Sequence, residues 1–220
     1  MLIKRGFFLA VLLFSALLIH SQENRAAVIR SLAESGDQDQ KAAALRNIND
    51  LMKDNALSGD EEEYVRILSY LSGEGVTNIK TEHGAVINDF PAVRRDAVLL
   101  LGELGGPAAR SALISVMRYD HDPYVLAEAA FALAKTGPDD EGKMISVFYL
   151  TLAGKKAVYD NDRVVQAVIR AIETISAATP SILEDPRIVE GLIFAAKPQL
   201  GYSRETRNLA EELLNRSTSR

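Results

Sequence analysis

Between residues 91 and 137 the apolar positions keep a helical rhythm, and that rhythm is written twice. Pro91–Gly105 reads PAVRRDAVLLLGELG and Pro123–Gly137 reads PYVLAEAAFALAKTG. Offset by 32 residues, Pro91 falls on Pro123, Val93 on Val125, Ala97 on Ala129, Leu101 on Leu133 and Gly105 on Gly137. Val93, Ala97, Leu100, Leu101 and Leu104 follow the spacing of one helix face. The ends are legible too. Asp89 and Asp122 precede the first turns, where a carboxylate accepts orphan backbone N–H groups. Pro91 and Pro123 open the helices. Gly105 and Gly137 close them, because glycine takes the left-handed cap conformation. A second helix follows each copy: Ala108–Met117 with Leu113, Val116 and Met117 inward, and Asp139–Leu152 with Met144, Val147, Phe148 and Leu152 inward.

Weaker copies flank this pair. Residues 24–35 predict a capping helix with Ala27, Val28, Leu32 and Ala33 inward. Residues 39–54 place Ala44, Leu45, Ile48 and Leu51 on one face, and a partner helix runs from Asp60 to Leu71. The acidic run Glu61–Glu63 suits the start of that helix. Downstream, a copy starting at Asp160 or Asp162 carries Val164, Val168, Ile172 and Ile175. Asp185-Pro186 opens a helix with Ile188, Val189, Leu192 and Ile193 inward. Ser203 caps a last helix carrying Thr206, Ala210, Leu213 and Leu214, whose polar character fits a terminal cap. Residues 216–220 are expected to fray.

One segment breaks the rhythm. From Gly73 to Phe90 the link is far longer than its counterparts. Ile79-Lys80-Thr81 and Ala85-Val86-Ile87 flank Glu82-His83-Gly84, a hairpin pattern. Two readings stay open for this insertion. Val76, Val86 and Ile87 pack over the edge of the repeats, or the loop binds a partner.

A fixed period of this size means stacked supersecondary units, usually binding surfaces rather than catalysts. The motifs Asp122-Pro123, Val125, Ala129-Ala130 and Leu101-Gly102 resemble the HEAT-repeat family, in particular the short HEAT-like repeats of phycobilisome lyases. The resemblance implies an all-α fold, an α-solenoid of about four to five stacked antiparallel helix pairs, with the inserted loop or small hairpin at about 74–90. It also implies bilin attachment, which an export signal argues against. The chain is read as an exported bacterial member.

Composition narrows the classes. At 220 residues and 47% hydrophobic, the chain can bury one sizeable core. A net charge of −5 is the wrong sign for a non-specific nucleic-acid binder. With no cysteine there is no disulfide, thiolate nucleophile or zinc–thiolate site. Residues 1–21 read as an export signal: Lys4 and Arg5, then an apolar run from Phe7 to Ile19. That run spans roughly 20 Å, short of the about 30 Å of a bilayer core. Cleavage leaves no stable membrane span and a periplasmic or secreted protein; retention as an anchor is the alternative. Residues 22–215 then form a single solenoid domain.

Candidate chemistry is sparse. His121, flanked by Asp120 and Asp122, looks like a metal ligand set, but acids recur before each helix as caps and the histidine does not. No nucleophile elbow or phosphate loop is present. The expectation is therefore no enzyme, no cofactor and no metal site, but a scaffold for a protein or peptide partner. A structural subunit of an envelope assembly is the alternative reading, and a lyase-like enzyme the remote one. Once the core stripes are assigned, the second helices leave Arg110, Ile114, Arg118, Tyr149 and Lys156 to line a groove, with Lys80 and His83 on the insertion beside it. Their basic and aromatic character suits an acidic peptide.

Overall fold

The computed structural model describes residues 25–57, 61–139, 141–154 and 161–218. The residues of the expected export signal, and Lys156, lie outside them. The chain divides into two compact units, 1–67 and 68–220.

In the first unit, α1 spans 25–34 and α2 spans Gln38–Lys53. The α2 stripe is the predicted one, with Ala44, Leu45, Ile48 and Leu51 buried. Helix α1 is rotated from its predicted phase. Ala26, Ile29 and Ala33 are buried, while Ala27 and Val28 face solvent. Both sets have helical spacing, so periodicity alone did not separate them. Asp37 caps α2 by accepting from the Gln40 amide at 2.9 Å. Lys41 is wholly buried and donates to the Ala33 carbonyl at 2.7 Å, satisfying an orphan group at the end of α1. Glu63, in the first turns of α3 (Glu61–Ser72), receives Arg30 and Arg66 together.

The second unit begins with the end of α3 and holds a hairpin (β1, Thr81–Glu82; β2, Ala85–Val86) followed by α4 (Pro91–Leu104), α5 (Gly106–Tyr119), α6 (Pro123–Thr136), α7 (Lys143–Leu152), α8 (Asp162–Ala178), α9 (Pro186–Ala196) and α10 (Arg204–Thr218). The packing is all-α and solenoid-like. Helices α4, α6, α8 and α10 lie side by side in chain order as one row, and α5, α7 and α9 form the second. Each pair shares one apolar layer: Val93, Ala97 and Leu101 of α4, Leu113 and Met117 of α5, Val125, Ala129 and Leu133 of α6, Met144 and Phe148 of α7. The copy in α8 buries Val164, Val168, Ile172 and Ile175 as predicted.

Helix ends mostly follow the sequence. Asp122 accepts from the Tyr124 and Val125 amides, Asp185 from Arg187, Asn161 from Arg163. Gly105 and Gly137 close α4 and α6 with φ of 68° and 72°. Their ψ values, −161° and 175°, take them past the left-handed helical region into one that is essentially reserved for glycine. In α9 the predicted stripe holds for Ile188 and Leu192, but Ile193 is exposed; Gly191 and Ala195 complete the buried face instead. An added Cβ on Gly191 would sit 3.0 Å from Leu152 Cβ, so α7 and α9 approach closely there. At the far end, Thr206 is buried as a polar anchor. It donates to Asp162 at 2.8 Å and accepts from Gln166 at 2.9 Å. Arg216 remains helical and pairs with Glu173 at 2.9 Å.

Candidate partner-binding site

The insertion is a built structure. Thr81 pairs with Val86 and Glu82 with Ala85 across a two-residue turn at His83-Gly84, both with positive φ, the turn type whose twist matches paired strands. Its base is tied down by amides and carboxamides. Asn88 is buried; its Oδ1 accepts from the Lys80 amide at 2.8 Å, and its Nδ2 donates to the Asn78 carbonyl and to Glu74 Oε1 at 2.6 and 2.7 Å. Gly75, φ 73°, lets the two segments of the base touch: a Cβ there would lie 2.6 Å from Asp89 Cα.

Arg94 fastens this base to the repeats. Its guanidinium has no solvent exposure and makes four bonds: to Asp120 Oδ2 at 2.7 Å and Oδ1 at 3.2 Å, to Asp89 Oδ1 at 2.5 Å and to the Glu74 carbonyl at 3.0 Å. Burial pulls its pKa down, but the hydrogen bonds to Asp120 and Asp89 outweigh that and the net shift is upward. This corrects the reading of Asp89 as the cap of α4. Phe90 occupies the cap position, no side chain caps the helix, and Asp89 holds Arg94 instead. Asp120 likewise serves Arg94 and, through Oδ1, the amides of His121 and Asp122 at 2.7 and 2.8 Å. His121 is exposed, 3.7 Å from Asp89.

On this anchored base the hairpin presents apolar surface. Ile79, Val86 and Ile87 are 55%, 47% and 50% exposed, and His83 at the tip is 93% exposed on its side chain. Val86 and Ile87 therefore do not pack over the repeat edge, while Val76, the third residue of that reading, is half-buried and lines a cleft with residues of α5. The hairpin strands are two residues long, and among the described residues both are exposed along their length. Beside the base, a cleft of about 110 Å³ is lined by Ser69, Ser72, Val76, Thr77, Ser115 and Tyr119. Arg118 and Tyr119 are exposed at the adjoining end of α5.

The remaining predicted contact residues separate from these. Arg110 is half-buried and donates to the Thr136 carbonyl at 2.6 Å, closing the end of α6. Ile114 is buried in the core. Helical phase had placed both outward; the neighbouring helix turns them inward. Tyr149 is half-buried on α7. Partial burial first, then the Glu190 carboxylate, raises its phenol pKa. So Arg118, Lys80 and His83 share the hairpin end of the unit, while Arg110, Ile114 and Tyr149 belong to packing between helices.

Sequence reasoning missed a second exposed cluster, Tyr124 and Phe131 on α6 with Arg163 and Arg170 on α8. The signal was present: Phe131 falls on Leu99 at the 32-residue offset, and both are large apolar residues off the core stripe.

Among the described residues no helix is long and apolar enough to cross a membrane, and no three His, Asp or Glu side chains are arranged around a common metal position. No curated protein and no solved structure matches the chain. Residues 84–145, from the hairpin turn through α4, α5 and α6 to the start of α7, match the family model for HEAT repeats, which supports reading this chain as a HEAT-repeat protein.

Proposed function

We propose that the chain is a non-enzymatic HEAT-repeat scaffold that holds a protein partner outside the cytoplasm, and that the hairpin with the adjoining end of α5 is the contact surface. HEAT repeats commonly mediate protein interactions as scaffolds. One observation carries the placement: three apolar side chains stand in solvent on a hairpin whose base is locked by a fully buried arginine. Single exposed apolar residues are ordinary, but apolar residues grouped on one protrusion mark an interaction surface. Burying an arginine is costly, and a fold that does so here holds the protrusion in one place. A pre-positioned apolar knob loses little entropy on docking. Export rests on the sequence of residues 1–21, and the absence of cysteine suits an oxidising compartment.

The test is site-specific photocrosslinking in the native cell, with a photoreactive residue in place of His83 and, as control, of Asp50. The reading predicts one discrete adduct at position 83, absent at 50 and abolished by Ile79→Ser, Val86→Ser and Ile87→Ser together. These three positions are exposed, so the variant keeps its fold, which circular dichroism checks. An adduct that survives the triple change, or none at position 83, overturns the placement.

A further inference from the structure

Two contacts fix the register of the first-helix row. Lys135 of α6 pairs with Glu103 of α4, its counterpart at the 32-residue offset. Arg163 of α8 lies over the Tyr124 ring of α6 at 4.4 Å from its centroid, and these two are also counterparts, 39 residues apart. Equivalent positions are therefore side by side across α4, α6 and α8. One turn before Glu103 and Lys135 come Leu99 and Phe131, and the matching position on α8 is Arg170. All three are exposed, Leu99 at 42% and Phe131 at 40%.

The cleft between α6 and α8 has a volume of about 340 Å³, with Ala127 and Phe131 on one wall and Arg163, Gln166 and Arg170 on the other. Its charge is basic on an acidic protein. Asp162 also lines it, but that carboxylate already accepts from the Ser203 amide at 3.0 Å and the Thr206 hydroxyl at 2.8 Å. Glu205 stands 3.8 Å from Arg170, at the edge of an exposed ion pair. Such a pair is weak and yields to a better-placed carboxylate.

From this juxtaposition we infer that the row Leu99–Phe131–Arg170, flanked by Arg163, binds an extended acidic peptide segment. Packed helices stand about 8–10 Å apart, and a segment extended in the polyproline II conformation rises about 3.1 Å per residue and turns every third side chain to the same face. Successive rungs are then met by residues about three apart. The segment carries apolar side chains over Leu99 and Phe131 and a carboxylate three positions further on, where the arginine fork receives it. This surface lies on the first helices and does not depend on the function proposed for the hairpin.

Fluorescence anisotropy of the full chain tests it with labelled decapeptides in a Gly/Ser background. Each carries one leucine and one glutamate at separations from one to six residues. The expected result is tightest binding at a separation of three, weakening with salt. It falls at least about tenfold when lysine replaces glutamate, or in Arg163→Glu plus Arg170→Glu. Phe131→Ser should weaken the leucine dependence alone. No preference for separation, or affinity unchanged in the folded double variant, overturns the inference. So does a concentration-dependent dimer that Phe131→Ser abolishes, which assigns the row to a second copy of this chain.

Discussion

Arg94 and Asp120, 26 residues apart in the chain, meet inside the second unit in a two-pronged ion pair with Nε–Oδ2 at 2.7 Å and both side chains shut off from solvent. Removing one partner strands the other charge in the interior, which costs about 3–5 kcal/mol. Arg94→Ala is expected to lower the midpoint of thermal unfolding sharply and to release the hairpin base. Arg94→Lys should recover little, because an ammonium lacks the planar fork that spans Asp120 and Asp89. Chemical denaturation with hydrogen exchange at residues 74–90 checks both.

Asp89 lies two residues ahead of Pro91 and Asp122 one residue ahead of Pro123, and the two acids predict different phenotypes. Asp122→Ala removes an N-cap and should cost about 1 kcal/mol, in line with other helix caps. Asp122→Asn should restore most of it. For Asp89, asparagine should not rescue, because the role is to neutralise part of Arg94 rather than to accept from amides. Equal rescue at both positions in urea titrations would mean that the two acids do the same work.

Gly102 measures how closely α4 and α6 approach. A Cβ there would lie 2.8 Å from Ala132 Cβ and 2.9 Å from Ala132 Cα. Alanine gains about 1 kcal/mol of helix propensity over glycine. Overpacking a rigid contact loses about 1–3 kcal/mol. Since one clashing atom is backbone, the loss should prevail, and Gly102→Ala should be destabilising. Combining it with Ala132→Gly should rescue only part, since the clash with the backbone of residue 132 remains. A net gain in melting temperature would contradict this geometry.

Acid sensitivity follows from two carboxylates. Burial of Glu63 pushes its pKa up, but the hydrogen bonds from Arg66 and Arg30 outweigh burial and bring it below its usual 4.5. Asp185 is lowered from 3.8, chiefly by the Arg187 hydrogen bond. A folded pKa below the unfolded one means the unfolded chain binds protons first. The stabilisation is complete above those unfolded values and is lost as pH falls through the lower folded ones. Melting temperatures should therefore drop on acidification below about pH 4.5. In Glu63→Gln plus Asp185→Asn the neutral-pH value should start lower and the acid slope should be shallower.

The repeat was legible because core positions obey a local period. Val93, Ala97 and Leu101 and their counterparts in α6 and α8 are buried as spacing requires. What spacing could not resolve was phase where a helix offers two apolar stripes, as in α1, or where a neighbouring helix reaches across, as at Arg110 and Ile114. The exposed pair Leu99 and Phe131 was present in the same offset that revealed the core. It acquires meaning only once the Glu103–Lys135 pair sets the two helices side by side.

The sequence alone thus determined which segments are helices, where most of them begin and end, and which faces turn inward in the repeated copies, because capping and amphipathic burial are short-range. The tertiary structure decided what the remaining side chains do. Arg94 and Asp120 come from segments 26 residues apart, and only packing brings the buried guanidinium that carboxylate. The same holds for the hairpin, where the sequence left two readings of Val86 and Ile87 open and both stand in solvent among the described residues.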